Sequence, residues 1–290
     1  MTIKIENNLL IKICSTTAII IAILLMLSKL VVYFLTGSLI ILSSFTDSSL
    51  DFLVSFLNFL FFKYSLKPKD EEHRFGHTAI EDIASLIQAI IISCSACFII
   101  LHAIENILHQ KIPTMDFSGI IVTIVALIFT TGLVVFQKYT VKKTNSSIIK
   151  ADLLHYLSDI LMNAGILVAL LIIKFTGLYW IDSIIAIFIA LYILHSAFEV
   201  GKTGYNNIMN TEIEDQEKEK ITSILNDEKS ISGYKNLRTR YLGSKIFIEV
   251  TIEVKKTLLV EDAEKILKKI EEKIVEKFKN SEIVITVNGI

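Results

Sequence analysis

Three aspartates and one histidine stand where charge is least welcome. Asp47 and Asp51 lie inside one long apolar run, and His155 and Asp159 lie inside another. A carboxylate within a membrane span is costly unless it faces protein, water or a metal ion. Each pair has i, i+4 spacing, so its members sit one turn apart on one helix face. Either pair alone is ambiguous. An aspartate pair can cap a helix or bond a neighbouring hydroxyl, and a membrane histidine can be a hydrogen-bonded packing residue. Together they supply four oxygen and nitrogen donors, the number a tetrahedral Zn2+ or a similar divalent ion takes. Three carboxylates carry more charge than such an ion neutralises. Once emptied they crowd one another and take up protons instead, and an imidazole titrates near neutrality. Metal and protons then compete for one site, as an exchange of one for the other requires.

A second cluster, Asp70, His73 and His77, falls in the polar stretch Lys67–His77. Its short spacing suits one metal ion, with Glu71 and Glu72 as alternative ligands; a solvated charged loop with incidental histidines has the same composition. Other polar residues invite plainer readings. Cys94 and Cys97 form C-x-x-C among apolar neighbours and read as core packing. Lys29 either snorkels or pairs with an acid. Asp116 and Asp182 sit at span ends, where helix capping is the default. Asp152 could guide ions or cap a helix. His102, His109 and His195 are isolated, and no chemistry is assigned to them.

The elements that must hold these residues are long helices. Of 290 residues, 52% are hydrophobic, and more than half of the charged ones fall in the last 86. A bilayer-spanning helix needs about 20 mostly apolar residues. Six stretches qualify, roughly 12–36, 38–62, 79–107, 117–138, 150–174 and 178–200. Lys63, Lys67, Lys69 and Arg74 follow the second, and Lys138, Lys142, Lys143 and Lys150 follow the fourth. The opposite side offers only Lys111 and Lys174. Positive loops face the cytoplasm, so both termini are expected there. A net charge of −1 argues against nucleic acid as a partner. Three cysteines, all in apolar runs, imply no disulfide framework.

Residues 1–204 are thus expected to form a six-helix transmembrane domain, and 205–290 a cytoplasmic α+β domain ordered α-β-β-α-β. In the tail, Ile246, Ile248, Val250, Ile252 and Val254 alternate with other residues as in a half-buried strand. Ala263, Leu267, Ile270, Ile274 and Phe278 share one helix face. Gly233 and Gly243 bracket a strand around Leu237–Arg240, and Ile283–Val287 reads as a last short strand.

These motifs carry a resemblance. Asp47-x3-Asp51, Tyr64-Ser-Leu-x-Pro68, His73-x-Phe-Gly-His77, Ile121–Leu127, Ala151-Asp-x-Leu-His-Tyr-x-Ser-Asp159 and Leu237-Arg-Thr-Arg240 are similar, nearly end to end, to the cation diffusion facilitators, and most to their bacterial ferrous-iron and zinc efflux branch. The resemblance implies a homodimeric metal–proton antiporter in the cytoplasmic membrane, with a metallochaperone-like tail. It implies Asp47, Asp51, His155 and Asp159 as the transport site and Asp70, His73 and His77 as a loop metal site. Zn2+ or Fe2+ would be the transported substrate, with Cd2+ and Co2+ carried adventitiously, and no prosthetic group is implied. Two departures stand out. The tail has no His or Cys: Lys235, Thr251 and Thr286 stand where the branch carries metal-binding histidines, and Asn288 where it carries an acid. Ala79 replaces a lysine that would help lock the dimer through a charge pair. Two readings outside transport are a membrane hydrolase and a non-transporting metal sensor or scaffold dimer. The first lacks an open coordination position and a nearby base. The second would pair a degenerate membrane site with an intact tail site, the reverse of this sequence.

Overall fold

A computed structural model describes residues 2–37, 39–109, 117–178, 180–278 and 280–290. The expected positions Asp116 and Lys111 lie outside them. The chain divides into two compact units, Asn7–Gly204 and Tyr205–Ile290, with Met1–Glu6 grouped with the second.

The first unit is helical: α1 (Thr2–Thr36), α2 (Leu39–Ser65), α3 (Ile80–His109), α4 (Phe117–Thr144), α5 (Ser147–Thr176) and α6 (Trp180–Ile208). All six are long and apolar enough to cross a membrane, and α2 is the least apolar. That is the helix carrying Asp47 and Asp51. Large apolar side chains such as Phe98, Phe175 and Phe188 point outward, as a helix facing lipid requires.

Helix α5 packs against α2, α3 and α4. Small residues let α3 and α6 close up. A Cβ built on Gly201 would come within 3.3 Å of the Ala89 Cβ, and one on Gly204 within 2.8 Å of the Ser85 Oγ. Backbones in membranes associate through such small-residue contacts because apolar burial gives no preference for protein over lipid. Ala89, Ala96, Ala190 and Ala197 continue that seam. Cys94 and Cys97 correct an expectation: both are exposed on α3, and only Cys14 is buried. Asp182 falls in the first turn of α6, the position expected of an N-terminal acid.

The second unit runs α7 (Asp215–Asn226), β1 (Gly233–Leu242), β2 (Lys245–Val254), α8 (Val260–Lys277) and β3 (Ser281–Gly289). Strands β1 and β2 form an antiparallel hairpin, and β2 pairs in parallel with β3 after the α8 crossover. Its core joins Ile221 and Leu225 of α7, Ile248, Val250 and Ile252 of β2, and Ile270 and Ile274 of α8. The alternation read in 246–254 is therefore the buried face of the central strand.

Lys235, Thr251 and Thr286 are cross-strand partners in one row of this sheet. Thr251 and Thr286 share a hydrogen bond of 2.8 Å, and Lys235 pairs with Glu253 at 2.5 Å. Hydroxyls and an ion pair fill a row that the resemblance led one to expect as histidines.

Glu228 is buried and receives Lys273 at 2.9 Å and Lys269 at 3.0 Å, tying α8 to the turn after α7. The Lys273 hydrogen bond is the chief reason its carboxyl falls from 4.5 to about 2. A carboxyl depressed on folding stabilises above its unfolded value and loses that contribution as pH falls toward the folded one. In the full-length protein, Glu228→Gln is expected to speed hydrogen exchange in α7 and β1 several-fold at pH 7. The gap from wild type should close as pH drops from 4.5 toward 2. A gap that stays constant over that range would remove the ion pairs as its cause.

Candidate metal centre in the membrane helices

The sequence of α2 explains its polar face. Ser44, Ser48, Asp51, Ser55 and Asn58 recur at alternating intervals of four and three residues, which places them along one stripe. Helix α5 answers with Asp152, His155 and Asp159. Where these stripes meet, Asp51, His155 and Asp159 offer ligand atoms that all lie within 4.8 Å of one another. The His155 Nε2 is 3.2 Å from Asp51 Oδ1 and 3.8 Å from Asp159 Oδ2. That nitrogen is buried and has no hydrogen-bond partner among the described residues. An imidazole nitrogen set between two carboxylates without a well-aligned hydrogen bond suits a cation better than a closed hydrogen-bond network.

Asp47 does not join this group. Its residue is exposed on α2, so three of the four expected ligands are gathered and the fourth stands one turn away.

Behind the cluster lies a polar layer that reading charges alone missed. Asp152 is fully buried, only 2% exposed. The Asn58 Nδ2 donates to its Oδ1 at 2.9 Å and the Gln137 Nε2 to its Oδ2 at 2.7 Å. Asn58 also donates to Gln88 Oε1 at 3.2 Å, so α2, α3, α4 and α5 meet at one carboxylate. Asp152 therefore neither caps a helix nor lines an open path in this structure. Tyr156 and Ser55 share a 2.7 Å hydrogen bond beside it. The signal was available: Asn58 and Ser55 continue the Asp51 stripe, and Asp152 lies one turn before His155.

The loop between α2 and α3 gathers its three expected residues too. Asp70, His73 and His77 form a second set of clustered ligand atoms. Asp70 lies 3.2 Å from His73 Nδ1 and 3.3 Å from His77 Nε2. The His73 backbone N–H donates to Asp70 Oδ1 at 2.6 Å and, more than any other group, holds that carboxyl below its ordinary range. Gly76, at φ +86°, turns the chain between the two histidines, a conformation that L side chains resist. His77 is buried, with Tyr64 edge-on to its ring at 5.0 Å. His102 and His195 stand apart from both clusters: His102 faces Glu105 at 3.9 Å and His195 faces Glu199 at 3.8 Å.

Six membrane-length helices with ionisable donors gathered between two of them make this a multi-pass membrane protein built around a charged site. Its relatives place it further. The family model for the cation efflux transmembrane domain matches residues 15–209, and that for the cation efflux protein cytoplasmic domain matches 213–289. The cation-efflux pump FieF of Cronobacter sakazakii is 37% identical over 268 residues, 92% of this chain and 89% of that one. FieF of Escherichia coli O139:H28 is 37% identical over 267 residues, covering 90% and 87%. A solved metal-bound C-terminal domain of the CzcD transporter from Thermotoga maritima is 27% identical, covers 26% of this chain and 87% of that one, and has a TM-score of 0.25. The chain belongs to the cation efflux family of membrane transporters.

Proposed function

We propose that the protein exports a divalent transition metal, Zn2+ or Fe2+, across the cytoplasmic membrane in exchange for protons. The observation that carries this reading is the meeting of Asp51, His155 and Asp159 ligand atoms between two membrane-length helices. These residues bind the ion, and Asp47, one turn from Asp51 on the same helix face, completes the set. When the ion leaves, the crowded carboxylates and the imidazole take up protons, so each substrate displaces the other. Helices rocking around this fixed site would open it to one side and then the other. Binding orders among divalent ions favour Zn2+ over Fe2+, and three hard carboxylates weaken that preference without reversing it. Cd2+ and Co2+ follow as less selective cargo. The lysine-rich loops support cytoplasmic termini, and the relatives support a homodimer.

The test is metal uptake into proteoliposomes, offering Zn2+, Fe2+, Cd2+ and Mn2+ to wild type and Asp51→Ala. Uptake that ranks the metals and vanishes in the variant is expected. Uptake indifferent to Asp51→Ala would sink the site, and a folded protein that moves no metal would favour a sensor or scaffold.

The loop cluster gives a separate expectation. Asp70→Ala combined with His77→Ala should remove one bound Zn2+ per chain, measured by metal analysis after equilibrium dialysis. Unchanged metal content in that variant would make the loop a solvated charged turn.

A further inference from the structure

Lys29 places an ammonium beside this cluster. It belongs to the last third of α1 and is buried, at 9%. Its ammonium does not snorkel away. It donates to the Ser48 Oγ at 2.6 Å and to the Ser44 carbonyl at 3.1 Å. Ser48 lies between Asp47 and Asp51 on α2, so these bonds hold the charge beside the ligand set. From there the ammonium interacts with Asp51, Asp47 and Asp159.

We propose that Lys29 is a built-in counter-ion that sets the charge of the transport site to match one divalent cation. This inference rests on the transport-site reading above. Three carboxylates and a neutral imidazole carry −3, and the fixed ammonium brings the set to −2. A divalent ion then fills it to neutrality, a state that low-dielectric surroundings favour over any net charge. A monovalent ion would leave charge behind. The ammonium also keeps affinity below what three carboxylates alone would give, and a transporter must release its cargo as well as bind it. The lysine does not touch the ion; it acts through the field at the ligands.

The sign of the effect separates this role from a structural one. Lys29→Gln is one atom shorter, keeps an N–H donor toward Ser48 and Ser44, and removes the charge. In full-length protein at pH 8, where fewer protons compete, it should bind Zn2+ roughly tenfold tighter or more by chelator competition, and proteoliposome turnover should fall as release slows. These measurements use an Asp70→Ala, His77→Ala background so that only the membrane site is read. Lys29→Arg keeps the charge and should stay within a few-fold of wild type. Ser48→Ala removes the tether's hydroxyl and leaves the charge, so Zn2+ affinity should barely move. Equal or weaker binding in Lys29→Gln, or the same change in Ser48→Ala, would overturn the proposal. Should Lys29→Gln fail to fold, Lys29→Met in the same assay carries the same expectation. Asp51→Ala in the same background separates the two readings: if it leaves Zn2+ binding intact, the site assignment fails rather than the lysine's role.

Discussion

Asp159→Asn is expected to cut metal flux by about 100-fold or more, since loss of a mere supporting partner already costs about 10–100-fold at metal sites. The exchange keeps shape and volume but removes one of the charges that His155 Nε2 faces at 3.8 Å. An amide oxygen can still reach the ion, so the loss reports charge more than geometry. Folding should be unaffected, because the Asp159 contact that holds α5 together locally is its backbone carbonyl, which accepts from Asn163 at 2.7 Å. The measurement is initial Zn2+ uptake in proteoliposomes, normalised to protein that elutes as a single species. Flux within a few-fold of wild type would mean that the carboxylate does not bind the cargo.

Asp152→Ala should act on stability first. It leaves the Gln137 amide and one of the two Asn58 N–H groups without an acceptor and opens a void where four helices meet. Each orphaned buried donor costs about 1–3 kcal/mol, and little water is at hand to take the carboxylate's place. The expected sum is about 2–5 kcal/mol after relief of the buried charge is set against it. It should be seen as a clear fall in thermal stability in detergent and a lower folded yield. Zn2+ transport by the surviving protein should fall less than in Asp159→Asn, because Asp152 touches none of the clustered ligand atoms. Unchanged melting would mean that the carboxylate is not what joins these helices.

Much of this was legible in the sequence for one physical reason. Charge is so costly inside lipid that Asp51, His155 and Asp159 announce themselves by position alone. The αββαβ order of the tail was legible because its strands and helices alternate between solvent and one core, as Ile248, Val250 and Ile252 do. Uncharged polar residues were less visible. Asn58, Gln88 and Gln137 meet Asp152 across separations that no local pattern encodes, and serines such as Ser48 are common enough in membrane helices to pass unnoticed. Cys94 and Cys97 were misplaced because α3 is apolar nearly all round. In water, an apolar stripe marks the packed face; in lipid both faces are apolar, and only small residues such as Ala89 and Ala96 mark the contact. Asp47 shares a helix face with Asp51 by spacing, yet spacing along one helix does not decide which side chains meet across two.

Proton coupling is the central claim, and the most direct measurement is Zn2+ movement in sealed proteoliposomes under an imposed pH gradient of either sign. The account predicts that Zn2+ collects on the acidic side, that reversing the gradient reverses the direction, and that Asp51→Ala abolishes both. Equal accumulation under both gradients, still dependent on Asp51, would contradict antiport and leave a metal carrier that is not driven by protons.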